Sequence, residues 1–390
     1  MDFSLSHEQK LLIETISRFV AQELQPLEQA VEDQGFLADA DAKRIHEAAK
    51  ALGLYALNMP ESLGGAGLSH VDRMLCEEQF GHTSDILIRR AFGNVYEALL
   101  ACDAQQTERW LKPCISGSRV ASIAITEPGA GSDAQSIKTH AALQADGSWL
   151  LSGAKHFISD AAVSDFFIVS AKTGGVAGEK EISLFLVDKG LPGFAVGKDQ
   201  PMMGLRGTSH HELWFDNVRL EPMALLGARG QGFKMAMQVL GVVRLAQVGA
   251  RAVGKAAHLL KLASDYAQQR KQFGQAIGDF QMIQQMLSDS VIEINAARWM
   301  MLHAAWKLDQ GIDARDDIAM VKVQASEMLG RVADRAVQIF GGMGYCKEMP
   351  IERLYRDARI ARIYDGTSEV HRWAIARSLA KRGSTLYELH

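Results

Sequence analysis

Cysteine is scarce and scattered: Cys76, Cys102, Cys114 and Cys346 are the four in 390 residues, and no C-x-x-C pair joins any two. That spacing excludes a disulfide framework, a zinc ribbon and a dithiol redox motif, and it predicts small buried thiols in a reducing compartment. Long apolar runs are missing too, none approaching the roughly 18 residues of a membrane span. Charge of one sign is lacking: 42 Lys and Arg against 46 Asp and Glu leave a net charge of −4, no basis for binding nucleic acid or an anionic membrane. No H-E-x-x-H motif or comparable cluster suggests a metal, and no G-x-S-x-G elbow suggests a hydrolase. His210 and His211 are adjacent, so on a strand they face opposite ways and cannot share an ion. The first residues lead directly into a helix without a basic-then-apolar leader or an Arg-rich transit segment, which makes a cytoplasmic location the expectation. Apolar residues at 47% and charged residues at 23% are ordinary for a globular protein, and the length predicts two or three domains.

The most informative stretch is residues 126–133, Thr-Glu-Pro-Gly-Ala-Gly-Ser-Asp. Pro128 fixes one φ, Gly129 and Gly131 permit backbone shapes closed to other residues, and Thr126 and Ser132 supply hydroxyls at the shoulders. Such a loop offers N–H and O–H donors to an anionic or carbonyl-rich ligand. Residues 129–134 also fit G-x-G-x-x-A, but a dinucleotide fold needs a helix next. The sequel here is a short β-like run, an Asp146-Gly147 turn and Trp149-Leu-Leu, which reads as a hairpin.

Three regions follow from the periodicity. Residues 1–118 read as helices: Leu11, Leu12, Ile16, Phe19, Val20 and Leu24 form one stripe ended by Pro26. Ala42, Ile45, Ala49 and Leu52 form another before Gly53, and a third helix spans about residues 71–80. Residues 119–229 change to short strands at 120–126, 139–144, 149–158, 165–171, 182–188 and 213–218. The turns between them include Gly174 with Gly175 and Pro192 with Gly193, predicting a small antiparallel barrel or sandwich. Residues 230–390 return to long helices at 240–269, 280–308, 318–340 and 368–380, with stripes suited to a four-helix bundle. The expected fold is therefore multidomain α+β: all-α, β-barrel, four-helix bundle.

This order, together with six motifs, resembles the acyl-CoA dehydrogenase family of flavoproteins along essentially the whole chain. The motifs are residues 59–65 (Met-Pro-Glu-Ser-Leu-Gly-Gly), 124–133, 153–159 (Gly-Ala-Lys-His-Phe-Ile-Ser), 270–274 (Arg-Lys-Gln-Phe-Gly), 338–345 (Gln-Ile-Phe-Gly-Gly-Met-Gly-Tyr) and 355–367, which closes on Ile-Tyr-Asp-Gly-Thr. The resemblance implies FAD between barrel and bundle, an acyl-CoA substrate, an electron-transferring flavoprotein as acceptor, and a homo-oligomer, usually a tetramer. In that chemistry an α-proton is removed from an acyl thioester while a hydride passes from the β-carbon to flavin N5.

Residue by residue, the resemblance sets Ile125, Thr126 and Ser132 against the flavin and its phosphates. Phe157, Ile158 and Ser159 match the segment covering the ring, although Phe157 and Ile158 alone read as strand core. Arg270 and Phe273 match contacts to the cofactor of a neighbouring subunit, while a cation at a helix end before a Gly stop is the plain account. Gln338, Gly341 and Gly342 match a stretch over the adenine end, or simply terminate a helix. Thr367 and Glu369 match adenosine contacts, and Thr367 also suits an N-cap.

Asp365 stands where many relatives place a Glu as base. The alternative base position, just before Arg244, holds Val243, which cannot accept a proton. Asp365 is therefore the expected base, although Asp365-Gly366 alone reads as a turn pair. Its shorter side chain retracts the carboxylate by about 1.5 Å, and a misplacement of ~1 Å can cost roughly a hundredfold in rate. Gly241 replaces an acidic residue that often holds the pantetheine arm. Arg244 and the backbone of Gly366 remain candidate substrate contacts, as does Ser132. Arg89-Arg90 reads as a solvated surface pair. The alternative function is a flavin oxidase resembling nitroalkane oxidases, which use an Asp where Asp365 lies.

Overall fold

A computed structural model describes residues 4–93, 95–174 and 181–388; Gly175 of one expected turn lies outside them. The N-terminal part is helical. Helix α1 (His7–Phe19) starts at a capping box: Ser6 Oγ accepts from Gln9 N at 3.1 Å, and Gln9 Oε1 accepts from Ser6 N at 3.0 Å. Ile16, Phe19, Val20 and Leu24 are buried from the expected stripe, whereas Leu11 and Leu52 remain half exposed. Pro26 does not end the helix. The chain tightens into a 3-10 turn (Gln25–Leu27) that carries Pro26 and resumes at Glu28–Gln34, since proline is tolerated in a helical first turn. Helices α2 (Asp39–Ala51), α3 (His70–Phe80) and α4 (Asp85–Phe92) follow, and shorter helical segments at Glu97–Ala101 and from Ala104 to Ile115 complete this part.

The middle part is one eight-stranded sheet. Its strands are β1 (Ala121–Ala124), β2 (His140–Leu143), β3 (Trp149–Ser159), β4 (Phe166–Lys172), β5 (Ile182–Asp188), β6 (Phe194–Asp199), β7 (His210–Leu220) and β8 (Leu225–Leu226). The order is β6-β7-β3-β2-β4-β5-β8, with β1 beside β4. Two features correct the expected antiparallel barrel. Strand β1 runs parallel to β4, from Ala121↔Phe166 to Ala124↔Val169, and β2 meets β4 in parallel at His140↔Lys172. Nor does β6 pair with β8 to close the sheet among the described residues. Strand β6, unread in the sequence, follows the Pro192-Gly193 turn and lacks a clean buried-exposed alternation. The hairpin after the glycine loop forms as expected, β2 antiparallel to β3, with Gly147 at φ 83° in its turn.

The C-terminal part is again helical: α5 (Gly232–Val243), α6 (Arg251–Gln269), α7 (Gln281–Asp309), α8 (Arg315–Phe340), α9 (Ile351–Arg359) and α10 (Ser368–Arg382). The single helix expected over residues 240–269 is interrupted by a π-helical stretch, Arg244–Ala250. Val253, Ala256, Leu259 and Ala263 of α6 pack against Ala325, Met328, Val332 and Ala336 of α8. N- and C-terminal parts meet closely where α3 crosses α6. A Cβ on Gly254 would lie 1.8 Å from the Glu78 carbonyl oxygen, so only glycine permits that approach. Ion pairs reinforce the junction, Glu78 with Arg298 at 2.7 Å, Asp85 with Lys255 at 2.8 Å and Glu28 with Arg353 at 2.6 Å.

Candidate active site

The glycine loop folds as a tight turn in which Glu127 and Ala130 exchange both backbone hydrogen bonds at 3.1 Å. No helix follows, in keeping with rejection of the dinucleotide reading. Gly129 and Gly131 do not adopt positive φ, contrary to expectation, and a Cβ on either would meet nothing within 4 Å. Their lack of a side chain keeps open the space over the loop. Ile125 and Thr126 are partly buried and Ser132 is exposed. What holds the loop was not read from the sequence. Lys155, fully buried, donates to Glu127 Oε1 at 2.9 Å, to Ile125 O at 3.0 Å and to Ser170 Oγ at 3.0 Å. Burial pushes the Lys155 ammonium down to about 8, with Glu127 pulling it back. Glu127 also accepts from Lys138 N at 2.5 Å and Thr139 N at 3.0 Å.

Strand β3 passes the loop with His156 N donating to Thr126 O at 2.8 Å. Its register against β7 slips between Lys155 and Ile158, and there Phe157 takes φ 58°. The bulge turns Phe157 outward, 47% exposed, while Ile158 stays in the core at 3%. Strand core is thus the right description of the Ile158 side chain and the wrong one for Phe157. Ser159 is partly exposed, and its carbonyl accepts from Ser122 Oγ at 2.6 Å. Next in line, buried Asp160 accepts from Arg89 Nη1 at 2.9 Å and Arg90 Nη2 at 3.1 Å. Arg89 and Arg90 are therefore not a solvated pair; they clamp the end of β3 to α4.

Asp365 sits with φ 55°, followed by Gly366 at φ 91°. Asp tolerates that left-handed region better than most residues. Gly366 is needed there, because a Cβ would lie 2.8 Å from His371 Nε2. The Asp365 carbonyl accepts from Arg244 Nε at 2.6 Å and lies 3.2 Å from His371 Nε2. Its carboxyl makes no hydrogen bond among the described residues. Burial raises its pKa above the usual carboxylate value, against the fields of Arg244, Lys322 and Arg89. Lys322 on α8 is fully buried, its Nζ has no hydrogen-bond partner among the described residues, and burial brings it down to about 8. Neither Lys322 nor His371 was singled out from the sequence, where each reads as one polar residue in an apolar stripe.

Thr367 caps α10, its Oγ accepting from Val370 N at 3.2 Å, and Glu369 is exposed beside it. The remaining predicted residues gather elsewhere. Arg270 ends α6 and leads into a hairpin turned by Phe273 (φ 52°) and Gly274 (φ 83°). Gln338 is exposed on the last turn of α8, and Gly341 and Gly342 follow it. The two groups are neighbours: Arg270 N bonds Tyr266 O at 2.8 Å, and the Tyr266 ring stacks on Phe340 at 4.2 Å. Among the described residues, no hydrogen bond or ion pair joins them to Asp365 or to the glycine loop. Of the thiols, Cys76 and Cys114 are buried, but Cys346 is exposed, contrary to expectation.

Residues 6–118, 122–218 and 230–380 match, in that order, the family profiles of the acyl-CoA dehydrogenase N-terminal, middle and C-terminal domains. The chain is 36% identical over 381 residues to the mitochondrial short-chain specific acyl-CoA dehydrogenase of Homo sapiens, spanning 97% of this chain and 91% of that protein. Butyryl-CoA dehydrogenase from Megasphaera elsdenii superposes with a TM-score of 0.90 at 33% identity, over 97% of this chain and all 100% of that one. An FAD complex of PigA superposes with a TM-score of 0.89 at 30% identity, over 98% and 100% of the two chains. With all three domains matched along nearly its full length, the chain belongs to the acyl-CoA dehydrogenase family.

Proposed function

We propose that this protein is an FAD-dependent dehydrogenase of short acyl-CoA thioesters, with Asp365 as the base that removes the α-proton. The observation that carries the reading is the Asp365 carboxyl itself: it has no hydrogen-bond partner among the described residues, it is raised by burial, and its backbone is fixed by Arg244. A carboxylate so desolvated is a stronger base than one in water. The Gly366 N–H is the proposed donor to the thioester carbonyl, where it would stabilise enolate charge as the proton leaves. When bound, FAD accepts the hydride from the β-carbon, and an electron-transferring flavoprotein is the proposed acceptor of its electrons.

The residues present suit the cofactor. Open space over Gly129 and Gly131, the hydroxyls of Thr126 and Ser132, and the outward ring of Phe157 offer a surface for flavin and phosphates. Arg270, Phe273, Gln338, Gly341 and Gly342 form a second exposed group that no hydrogen bond or ion pair joins to the first among the described residues, which favours a partner subunit's FAD as their ligand. Phe273 (95% exposed), Tyr345 (85%) and Met282 (74%) are apolar surface that a homotetramer would cover. Thr367 and Glu369 are proposed at the adenosine half.

The test is anaerobic. The purified yellow protein should lose its flavin colour on mixing with a short acyl-CoA under argon. Oxygen uptake with a nitroalkane and indifference to thioesters would instead favour the oxidase chemistry.

A further inference from the structure

Within electrostatic reach of Asp365 lies a small cavity; Leu57, Phe80, Phe92, Val95 and Val243 help to line it, but most of its open surface is polar. It holds about 40 Å³, room for roughly three water-sized groups. Val243 and Gln247 reach it from the turns that carry Arg244, whose guanidinium holds the Asp365 carbonyl. Tyr96 faces it from the other side and lies within electrostatic reach of Asp365. The cavity is therefore where an acyl tail would extend once its α-carbon met the base.

Four salt-bridged side chains, Arg73, Glu77, Glu97 and Arg251, contribute to the lining of this cavity. Arg251 Nε donates to Glu77 Oε2 at 2.6 Å, Arg73 Nη1 pairs with Glu97, and Arg73 Nε stands 3.9 Å from Glu77 Oε1. Arg73, Glu77 and Arg251 are each less than 10% exposed. Two cations and two anions cancel. A hydrocarbon tail entering this space would displace water from the ion pairs and return no hydrogen bonds. A carboxylate tail would add a buried charge with no spare counterion. A neutral group that both donates and accepts would satisfy guanidinium N–H and carboxylate oxygen together.

We infer that the acyl group this site accepts is short and ends in a neutral hydrogen-bonding group, of which a carboxamide is the fullest match, seated against Arg73, Glu77, Glu97 and Arg251. The inference rests on the reading that Asp365 acts on an acyl thioester.

Three tails of nearly equal shape separate the possibilities in the FAD-loaded enzyme: 5-methylhexanoyl-CoA, 4-carbamoylbutanoyl-CoA and glutaryl-CoA. The carbamoyl thioester should reduce the flavin with kcat/KM about 100-fold above the branched alkyl one, and above glutaryl-CoA as well. The corresponding 2-enoyl products, titrated against the flavin band, should bind in the same order. Removing both members of one pair, Glu77→Leu with Arg251→Leu, should erase the preference without leaving a lone buried charge; Glu97→Gln is the milder second variant and should narrow it. Equal or better turnover of the alkyl tail overturns the inference, as does a preference for glutaryl-CoA. If only plain alkyl thioesters such as butyryl-CoA bleach the flavin, the inference falls while the role of Asp365 stands. If no acyl-CoA bleaches a flavin that dithionite reduces, both fall.

Discussion

At the scale of single residues, Asp365 is governed by what surrounds it rather than by its own chemistry. Burial raises its pKa above the ordinary 3.8, and three cations, Arg244, Lys322 and Arg89, limit that rise. A base must be ionised to act, so kcat/KM should climb with pH through an apparent pKa above that ordinary value. Lys322→Met removes one of the cations, disfavours the carboxylate and should shift the acid limb to higher pH. A pH profile of flavin reduction under argon reads the shift, and an unmoved limb would exclude Lys322 as a partner of the base. Asp365 and Gly366 were picked out because they fall inside the 355–367 motif, and Arg244 through the resemblance alone, since it lies outside all six motifs. Lys322 and His371 were not, since one polar residue on an apolar helix face says nothing of its neighbours. The misreading of Arg89-Arg90 has the same root: Asp160, which they clamp, lies 71 and 70 residues away.

Among the elements, the glycine loop and the bulge of β3 act as one unit through Lys155 and Glu127. Lys155 has no exposed surface, so removing its carboxylate partner leaves a buried charge uncompensated. Glu127→Ala should therefore cost about 3–5 kcal/mol of stability and release FAD, measured by urea unfolding and by flavin content after gel filtration. Full flavin content with unchanged stability would show that the pair does not hold the loop. Motif and turn chemistry identified the loop, the β2–β3 hairpin and the long helices. The parallel placement of β1 against β4 escaped the reading, because pairing direction is set by chain path rather than by local pattern. The π-helical stretch at Arg244–Ala250 escaped too, as its residues continue an ordinary helical stripe.

Across the whole molecule, the N- and C-terminal helical parts share buried ionisable groups. His82 and His258 stack across that junction with ring centroids 5.8 Å apart. Burial first, and then His82 and nearby cations, bring His258 from 6.5 to about 4. Below pH 6.5 the unfolded chain takes up this proton before the folded one does. The stability that neutral His258 contributes is thus present above pH 6.5 and lost as pH falls toward 4. Relative to wild type, His258→Gln should gain up to roughly 3 kcal/mol over that window, read from urea midpoints at each pH; a constant difference would contradict it. The three-part order was legible from periodicity, but the charged cavity was not. Its members Glu77 and Arg251 are 174 residues apart, and each alone reads as a solvated charge.

The most direct measurement is stopped-flow flavin reduction by butyryl-CoA under argon, comparing wild type with Asp365→Asn. The account predicts that the variant retains FAD, binds the thioester, and reduces its flavin slower by roughly 10²–10⁴-fold. Reduction at the wild-type rate would mean that another group takes the proton.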